Sequence, residues 1–134
     1  MPFLVKKVLV VEDSEPFRAL VRIVLGSLGV DQIVEVADGQ EAIETLKNFD
    51  AELIVMDWMM PGMDGIECTR RIRCVNDIPI VMVTGRDSVN DIQIALECGA
   101  NAYVAKPVTM TRLFAAFMRA VAAPSVDDPL TENA

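Results

Sequence analysis

The chain has 134 residues, of which 52 % are hydrophobic and 24 % are charged, and this suits one globular domain with one core. Its net charge of −8 argues against a protein that binds the phosphate backbone of nucleic acids through a basic face. The chain has no histidine, which excludes serine–histidine catalysis and histidine-ligated zinc. No apolar run is long enough to span a bilayer and no secretory signal is visible, so we expect no membrane insertion and a cytoplasmic location.

The three cysteines show no metal-binding pattern. Cys68, Cys74 and Cys98 contain no C-x-x-C pair. We therefore expect free thiols, buried or half-buried, in a reducing compartment.

Short apolar runs alternate with segments of helical periodicity along the chain. The runs that predict strands are residues 8–11, 33–36, 53–56, 80–83 and 102–105. Four of the five are almost continuously apolar, which is typical of parallel strands covered on both faces of a sheet.

The segments between the runs have apolar residues on one helical face. These predicted helix stripes consist of Phe17, Leu20, Val21, Val24 and Leu28; Gly65, Cys68, Thr69 and Ile72; Ile92, Ala95 and Leu96; and Leu113, Phe114, Phe117, Met118 and Val121. Ser14, Asp38 and Ser88 are predicted N-caps, and Gly29 and Gly99 are predicted to end two of the helices.

The order is therefore a strand followed by a helix, five times. This predicts an α/β fold with an open, doubly wound parallel sheet over residues 5–122. Residues 123–134 contain adjacent acids and no apolar periodicity, so we expect a short acidic disordered tail.

Chemistry-bearing side chains stand where the predicted strands end. Glu12 and Asp13 follow the first strand, Asp57 the third, Thr84 the fourth and Lys106 the fifth. Ligands of such sheets bind at the carboxyl ends of the strands, so we expect these groups to meet in one crevice. Three close carboxylates repel one another, and a hard divalent cation such as Mg²⁺ would offset that repulsion. The alternative is structural: Lys106 pairs with Asp57, and the other two acids cap a helix.

With a metal in place, one carboxylate could act as a nucleophile toward phosphorus. Asp57 is the best candidate, because it ends a central strand and leads into a glycine-containing loop whose backbone could approach a phosphate. Mg²⁺, Lys106 and the Thr84 hydroxyl would then neutralise the phosphoryl oxygens.

These residues resemble a known family. Glu12-Asp13, Asp57 within MDWMMPGMDG, Thr84-Gly85 and Lys106-Pro107 preceded by Tyr103 are similar, in order and interval, to the receiver domain of bacterial response regulators of two-component systems. The resemblance covers nearly the whole chain. It implies a flavodoxin-like (βα)5 fold with strand order 2-1-3-4-5.

The resemblance also implies residue roles. Asp57 would be the phosphorylation site. Asp13, Asp57 and the Met59 carbonyl would bind Mg²⁺ directly, and Glu12 would do so through water. Lys106 would bind a phosphoryl oxygen beside a cis Lys106–Pro107 peptide bond.

The same resemblance implies a switch and its partners. Thr84 and Tyr103 would move together and change the surface of the fourth helix, fifth strand and fifth helix. The phosphoryl donor would be a histidine kinase or a histidine phosphotransfer protein, and the output an unidentified downstream protein. A stand-alone regulator, monomeric or dimerising on phosphorylation, is expected rather than a metabolic enzyme. Met59 and Arg86 would flank the acceptor and tune its loss of phosphate.

Two alternatives stay open at this point. An aspartate-based phosphohydrolase would carry a second aspartate two residues after the nucleophile, where this chain has Met59. An adaptor could keep the fold without being phosphorylated.

Overall fold

The computed structural model describes residues 3–86 and 88–122, in which five strands alternate with five helices. The strands are β1 (Lys7–Val11), β2 (Gln32–Val36), β3 (Leu53–Asp57), β4 (Ile80–Thr84) and β5 (Ala102–Ala105). The helices are α1 (Glu15–Ser27), α2 (Gly39–Leu46), α3 (Gly65–Arg73), α4 (Val89–Glu97) and α5 (Met110–Ala122). The predicted tail, residues 123–134, lies outside the described residues.

The strands form one parallel sheet in the order β2-β1-β3-β4-β5, and this confirms the predicted flavodoxin-like fold. β2 lies on one side of β1, and β3, β4 and β5 follow one another on the other side. The strand order therefore changes direction between β1 and β3, which are neighbours at the switch point of the sheet. Val11 pairs with Met56 at the carboxyl end of these two strands. The residues that follow β1 therefore lie beside the end of β3.

The sheet separates two apolar cores because successive strand residues point to opposite faces. Leu9, Ile54 and Met82 pack on one face with α2, α3 and α4. Val10, Val55 and Val81 lie on the other face, where they pack with α1 and α5. Both faces of the sheet are thus covered, as the continuous apolar runs predict.

The predicted ends of the helices are confirmed. The side chains of Ser14, Asp38 and Ser88 each accept a hydrogen bond from a backbone N–H in the first turn of α1, α2 and α4. Gly29 and Gly99 have φ angles of 88° and 118°, which glycine adopts without the steric cost of a side chain.

Three burial predictions are wrong. Phe114 is 43 % exposed on α5 and Leu96 is 46 % exposed on α4, although each falls on a predicted core stripe. Cys74 is exposed, whereas Cys68 and Cys98 are buried free thiols. On α4 and α5, the stripe that faces the core is therefore narrower than the apolar stripe of the sequence. Over the described residues, no helix is long and apolar enough to cross a membrane.

Candidate functional site

Three carboxylates converge at the carboxyl ends of β1 and β3. Glu12, Asp13 and Asp57 each place a carboxylate oxygen within 4.8 Å of the others. Glu12 and Asp57 are buried, with exposures of 1 % and 4 %, and Asp13 is exposed. Such a set of hard oxygen donors, open to solvent on one side, suits a divalent cation.

Lys106 brings a positive charge to this cluster from the end of β5. Its Nζ lies 3.1 Å from Oε1 of Glu12 and 3.6 Å from Oδ1 of Asp57. Its backbone N–H donates to the Thr84 carbonyl at 2.8 Å, and its peptide bond to Pro107 is cis. Lys106 therefore contacts both buried acids rather than Asp57 alone.

Glu12 has an unusual protonation equilibrium. Burial, together with the hydrogen bond and charge of Asp57, raises the pKa of Glu12 from 4.5 to about 7, against the opposing effect of Lys106. Its Oε2 also accepts a hydrogen bond from the Ser14 N–H at 3.2 Å. Glu12 thus supports the start of α1, as the structural alternative proposes, and also belongs to the acidic cluster.

The loop after β3 packs closely against the Asp57 backbone. The Gly65 N–H donates to the Trp58 carbonyl at 2.8 Å, and a Cβ at Gly65 would lie 2.2 Å from the Asp57 carbonyl oxygen. Asp64 caps α3 by accepting from the Glu67 N–H. Neither feature was predicted from the sequence, although Asp64 and Glu67 have the same spacing as the predicted cap Asp38 and its partner Glu41.

Thr84 ends β4, the strand next to β3, and is fully buried. Its Oγ1 accepts from the Arg86 N–H at 3.2 Å. The Arg86 guanidinium lies over the Trp58 ring, 4.6 Å from the ring centroid. The Lys106 ammonium lies 5.0 Å from the centroid of the Phe17 ring. Aromatic rings therefore flank the acidic cluster and contact its neighbouring cations.

One predicted site residue, Tyr103, lies apart from the carboxylates. Tyr103 is half-buried on β5 and lines a groove of about 360 Å³ between α4, β5 and α5. Met59 lies in the loop after β3, two residues from Asp57, and 58 % of the residue is exposed. The structure thus brings four of the predicted residues together and places Thr84 beside them.

Comparison with known proteins identifies the same class. Residues 8–118 match the family model of the response regulator receiver domain. The chemotaxis protein CheY homolog of Campylobacter jejuni is 38 % identical over 107 aligned positions, and the alignment covers 77 % of this chain and 82 % of that protein.

Solved structures agree. The chemotaxis response regulator CheY4 of Vibrio cholerae superposes with a TM-score of 0.80 at 29 % identity, over 87 % of this chain and 98 % of that one. The receiver domain of sensor histidine kinase PA1611 from Pseudomonas aeruginosa, solved with a magnesium ion coordinated in its active-site cleft, has a TM-score of 0.76 at 30 % identity, over 87 % and 97 % of the two chains. The predicted resemblance is confirmed: this chain belongs to the response regulator receiver domain family of two-component systems.

Proposed function

We propose that this receiver domain accepts a phosphoryl group on Asp57 from the phosphohistidine of a histidine kinase or histidine phosphotransfer protein. One observation carries the proposal. The Asp57 carboxylate ends β3 among two further carboxylates and 3.6 Å from the Lys106 ammonium. Membership of the family supports a signalling phospho-acceptor rather than a metabolic enzyme.

Mg²⁺ is the proposed cofactor. Asp13, Asp57 and the Met59 carbonyl would bind it directly, and Glu12 would do so through water. The donor set fits a hard cation, because Glu12, Asp13 and Asp57 offer carboxylate oxygens within 4.8 Å of one another. When bound, Mg²⁺ supplies positive charge that offsets the repulsion among these acids and an incoming phosphoryl group.

The transfer would be a displacement at phosphorus. A carboxylate oxygen of Asp57 forms the new P–O bond as the P–N bond of the donor breaks, and the electron pair of that bond leaves on the imidazole nitrogen. Lys106 would hold one phosphoryl oxygen, and the Thr84 hydroxyl another after it turns away from the Arg86 N–H. In the later hydrolysis, water would attack the phosphorus, the Asp57 carboxylate would leave, and the same residues would assist.

The proposed output is a change of the α4-β5-α5 face, with Tyr103 following Thr84. The groove on this face has an apolar floor that includes Ile92, Ala115 and Ala116. Arg112 and Arg119 line it from α5 and are exposed. Neither arginine forms an ion pair with any residue in the described part of the chain. These features suit a downstream protein segment that carries both apolar and acidic side chains.

The remaining predictions about the cellular setting belong to this proposal. The domain would act in the cytoplasm, bind no nucleic acid, and be monomeric before phosphorylation. The net charge of −8 supports protein rather than nucleic-acid partners.

Beryllofluoride, a mimic of the phosphoryl group, tests the proposal on the full chain. Indole emission from Trp58, the single tryptophan, is followed as Mg²⁺ and then beryllofluoride are added. We expect a saturable, Mg²⁺-dependent response in the wild type and in Asp31→Asn, and none to beryllofluoride in Asp57→Asn. Asp31 is a matched control, because this exposed acid precedes β2 at the opposite end of the sheet. If the wild type showed no response to beryllofluoride, the chain would be an adaptor that is not phosphorylated. If it steadily hydrolysed phosphate esters, it would be an aspartate-based phosphohydrolase.

A further inference from the structure

Arg86 makes three contacts that point in different directions from the loop between β4 and α4. Its backbone N–H donates to Oγ1 of Thr84 at 3.2 Å. Its guanidinium stacks on Trp58, 4.6 Å from the ring centroid. The same guanidinium reaches Oδ1 of Asp91 at 3.1 Å through Nη2 and at 3.3 Å through Nε.

Each contact joins a different part of the domain. Trp58 directly follows Asp57 and is 5 % exposed, so its ring is fixed by the core beside the acceptor. Asp91 lies in the first turn of α4, where its N–H donates to the capping Ser88 hydroxyl. Hydrogen bonds from Ser88 and Arg86 lower the pKa of Asp91, so its carboxyl is ionised at neutral pH. One side chain therefore connects the acceptor strand to the beginning of α4.

We propose that Arg86 is a positioning residue that ties the first turn of α4 to the indole beside Asp57 and has to release this tie when Thr84 turns its hydroxyl toward a phosphoryl group. The inference rests on the proposed function. The Thr84 hydroxyl accepts from the amide of the very residue whose side chain forms the tie. Turning that hydroxyl away removes the amide's acceptor and so disturbs all three contacts together.

The Arg86 contacts should affect the affinity for a phosphoryl mimic in one direction, because conformation and binding are linked. Contacts made only while Thr84 accepts from the Arg86 N–H favour that conformation over the one that binds a phosphoryl group. Losing them should tighten the binding of a phosphoryl mimic. Exposed cation–π contacts and ion pairs are weak, and the Arg86 side chain is 47 % exposed, so we expect about a three- to tenfold gain in affinity.

The test compares Arg86→Gln, Asp91→Asn and the double variant as full chains at saturating Mg²⁺. Calorimetry measures beryllofluoride affinity independently of the Trp58 environment, and hydrogen exchange reports the first turn of α4. Arg70→Gln is the matched control: Arg70 is an exposed arginine of α3 without an ion pair among the residues described, and its change removes the same charge.

We expect both single variants to bind beryllofluoride more tightly and to exchange faster at the start of α4. The double variant should match Arg86→Gln, because the two changes break one tie. Arg70→Gln should match the wild type. Unchanged or weaker binding in Arg86→Gln, or effects of the two changes that simply add, would overturn the inference while leaving Asp57 as the acceptor. A wild type that binds no beryllofluoride would overturn both.

Discussion

The Lys106 ammonium lies 3.1 Å from the carboxylate of Glu12, a residue that is 1 % exposed. This pair joins the end of β5 to the end of β1 across two intervening strands. A buried carboxylate is costly unless it is paired, so Glu12 depends on Lys106, whose own side chain is 31 % exposed. The lysine is therefore held over the cluster before any phosphoryl oxygen reaches it.

Replacing Lys106 with alanine should allow phosphorylation but prevent the change at the Tyr103 groove that follows it. We expect Lys106→Ala to take phosphate from a small acyl phosphate at least about tenfold more slowly, because one neutralising charge is lost. The phosphorylated variant should leave hydrogen exchange at the Tyr103 groove unchanged, whereas the wild type changes it. Lys47→Ala, which removes only an exposed pair with Glu44, is the control. A full response of the groove in phosphorylated Lys106→Ala would show that its assigned role is wrong.

Glu12 should make stability depend on pH in an unusual direction. Its pKa of about 7 in the folded chain exceeds its ordinary 4.5, so the folded state binds more protons between these values. The stabilising contribution is complete below about pH 4.5 and is lost as the pH rises through 7. We expect Glu12→Gln to exceed the wild type in free energy of unfolding above pH 7, by on the order of 1–3 kcal/mol, and the difference to vanish toward pH 4.5.

Denaturant unfolding at several pH values, without divalent cations, measures this difference. Glu41→Gln, a change of an exposed acid in the first turn of α2, is the control and should lack the effect. A constant gap between Glu12→Gln and the wild type from pH 5 to 8 would refute the prediction.

The same protonation should compete with Mg²⁺. A cation favours the ionised carboxylate, so binding must release the Glu12 proton below pH 7. Mg²⁺ affinity should therefore fall as the pH decreases from 8 to 6, approaching tenfold per pH unit at the acidic end. Glu12→Gln should bind Mg²⁺ more weakly but with little dependence on pH over this range. Fluorescence titrations of Trp58 measure both affinities, and equal pH dependence in the two proteins would contradict the assignment.

Gly65 should be intolerant of any side chain. An added Cβ would lie 2.2 Å from the Asp57 carbonyl oxygen, so either the loop between β3 and α3 or the start of α3 must shift. We expect Gly65→Ala to lose at least about 2 kcal/mol of stability and most of its Mg²⁺-dependent beryllofluoride binding. Gly26→Ala is the matched control: nothing lies within 4 Å of its added Cβ in α1, and about 0.5–1 kcal/mol should be gained there. Thermal unfolding compares the two variants, and equal stability would rule out the clash.

Most of the fold could be predicted because its signals are local. Each predicted run of apolar residues lies within an observed strand. Ser14, Asp38 and Ser88 cap the first turns of their helices, as predicted. The exposure of Phe114 and Leu96 could not be predicted. Periodicity identifies the side of a helix that faces the sheet, but the width of the covered stripe depends on neighbouring helices.

The site was predictable to the extent that topology determines it. The carboxyl ends of parallel strands lie at the same edge of a sheet. The proximity of Glu12, Asp57 and Lys106 therefore followed from the strand order. The nearer contact of Lys106 with Glu12, and the stacking of Arg86 on Trp58, could not be predicted. These depend on side-chain rotamers, which are set by packing between segments distant in sequence.

Locating a transferred phosphoryl group tests the central claim most directly. The full chain is incubated with Mg²⁺ and a small acyl phosphate, the product is reduced with borohydride to mark the acyl phosphate, and its peptides are sequenced by mass spectrometry. We predict one modified aspartate, Asp57, and no modification when Mg²⁺ is chelated. Modification at another carboxylate while Asp57 stays intact, or none in the presence of Mg²⁺, would contradict the account.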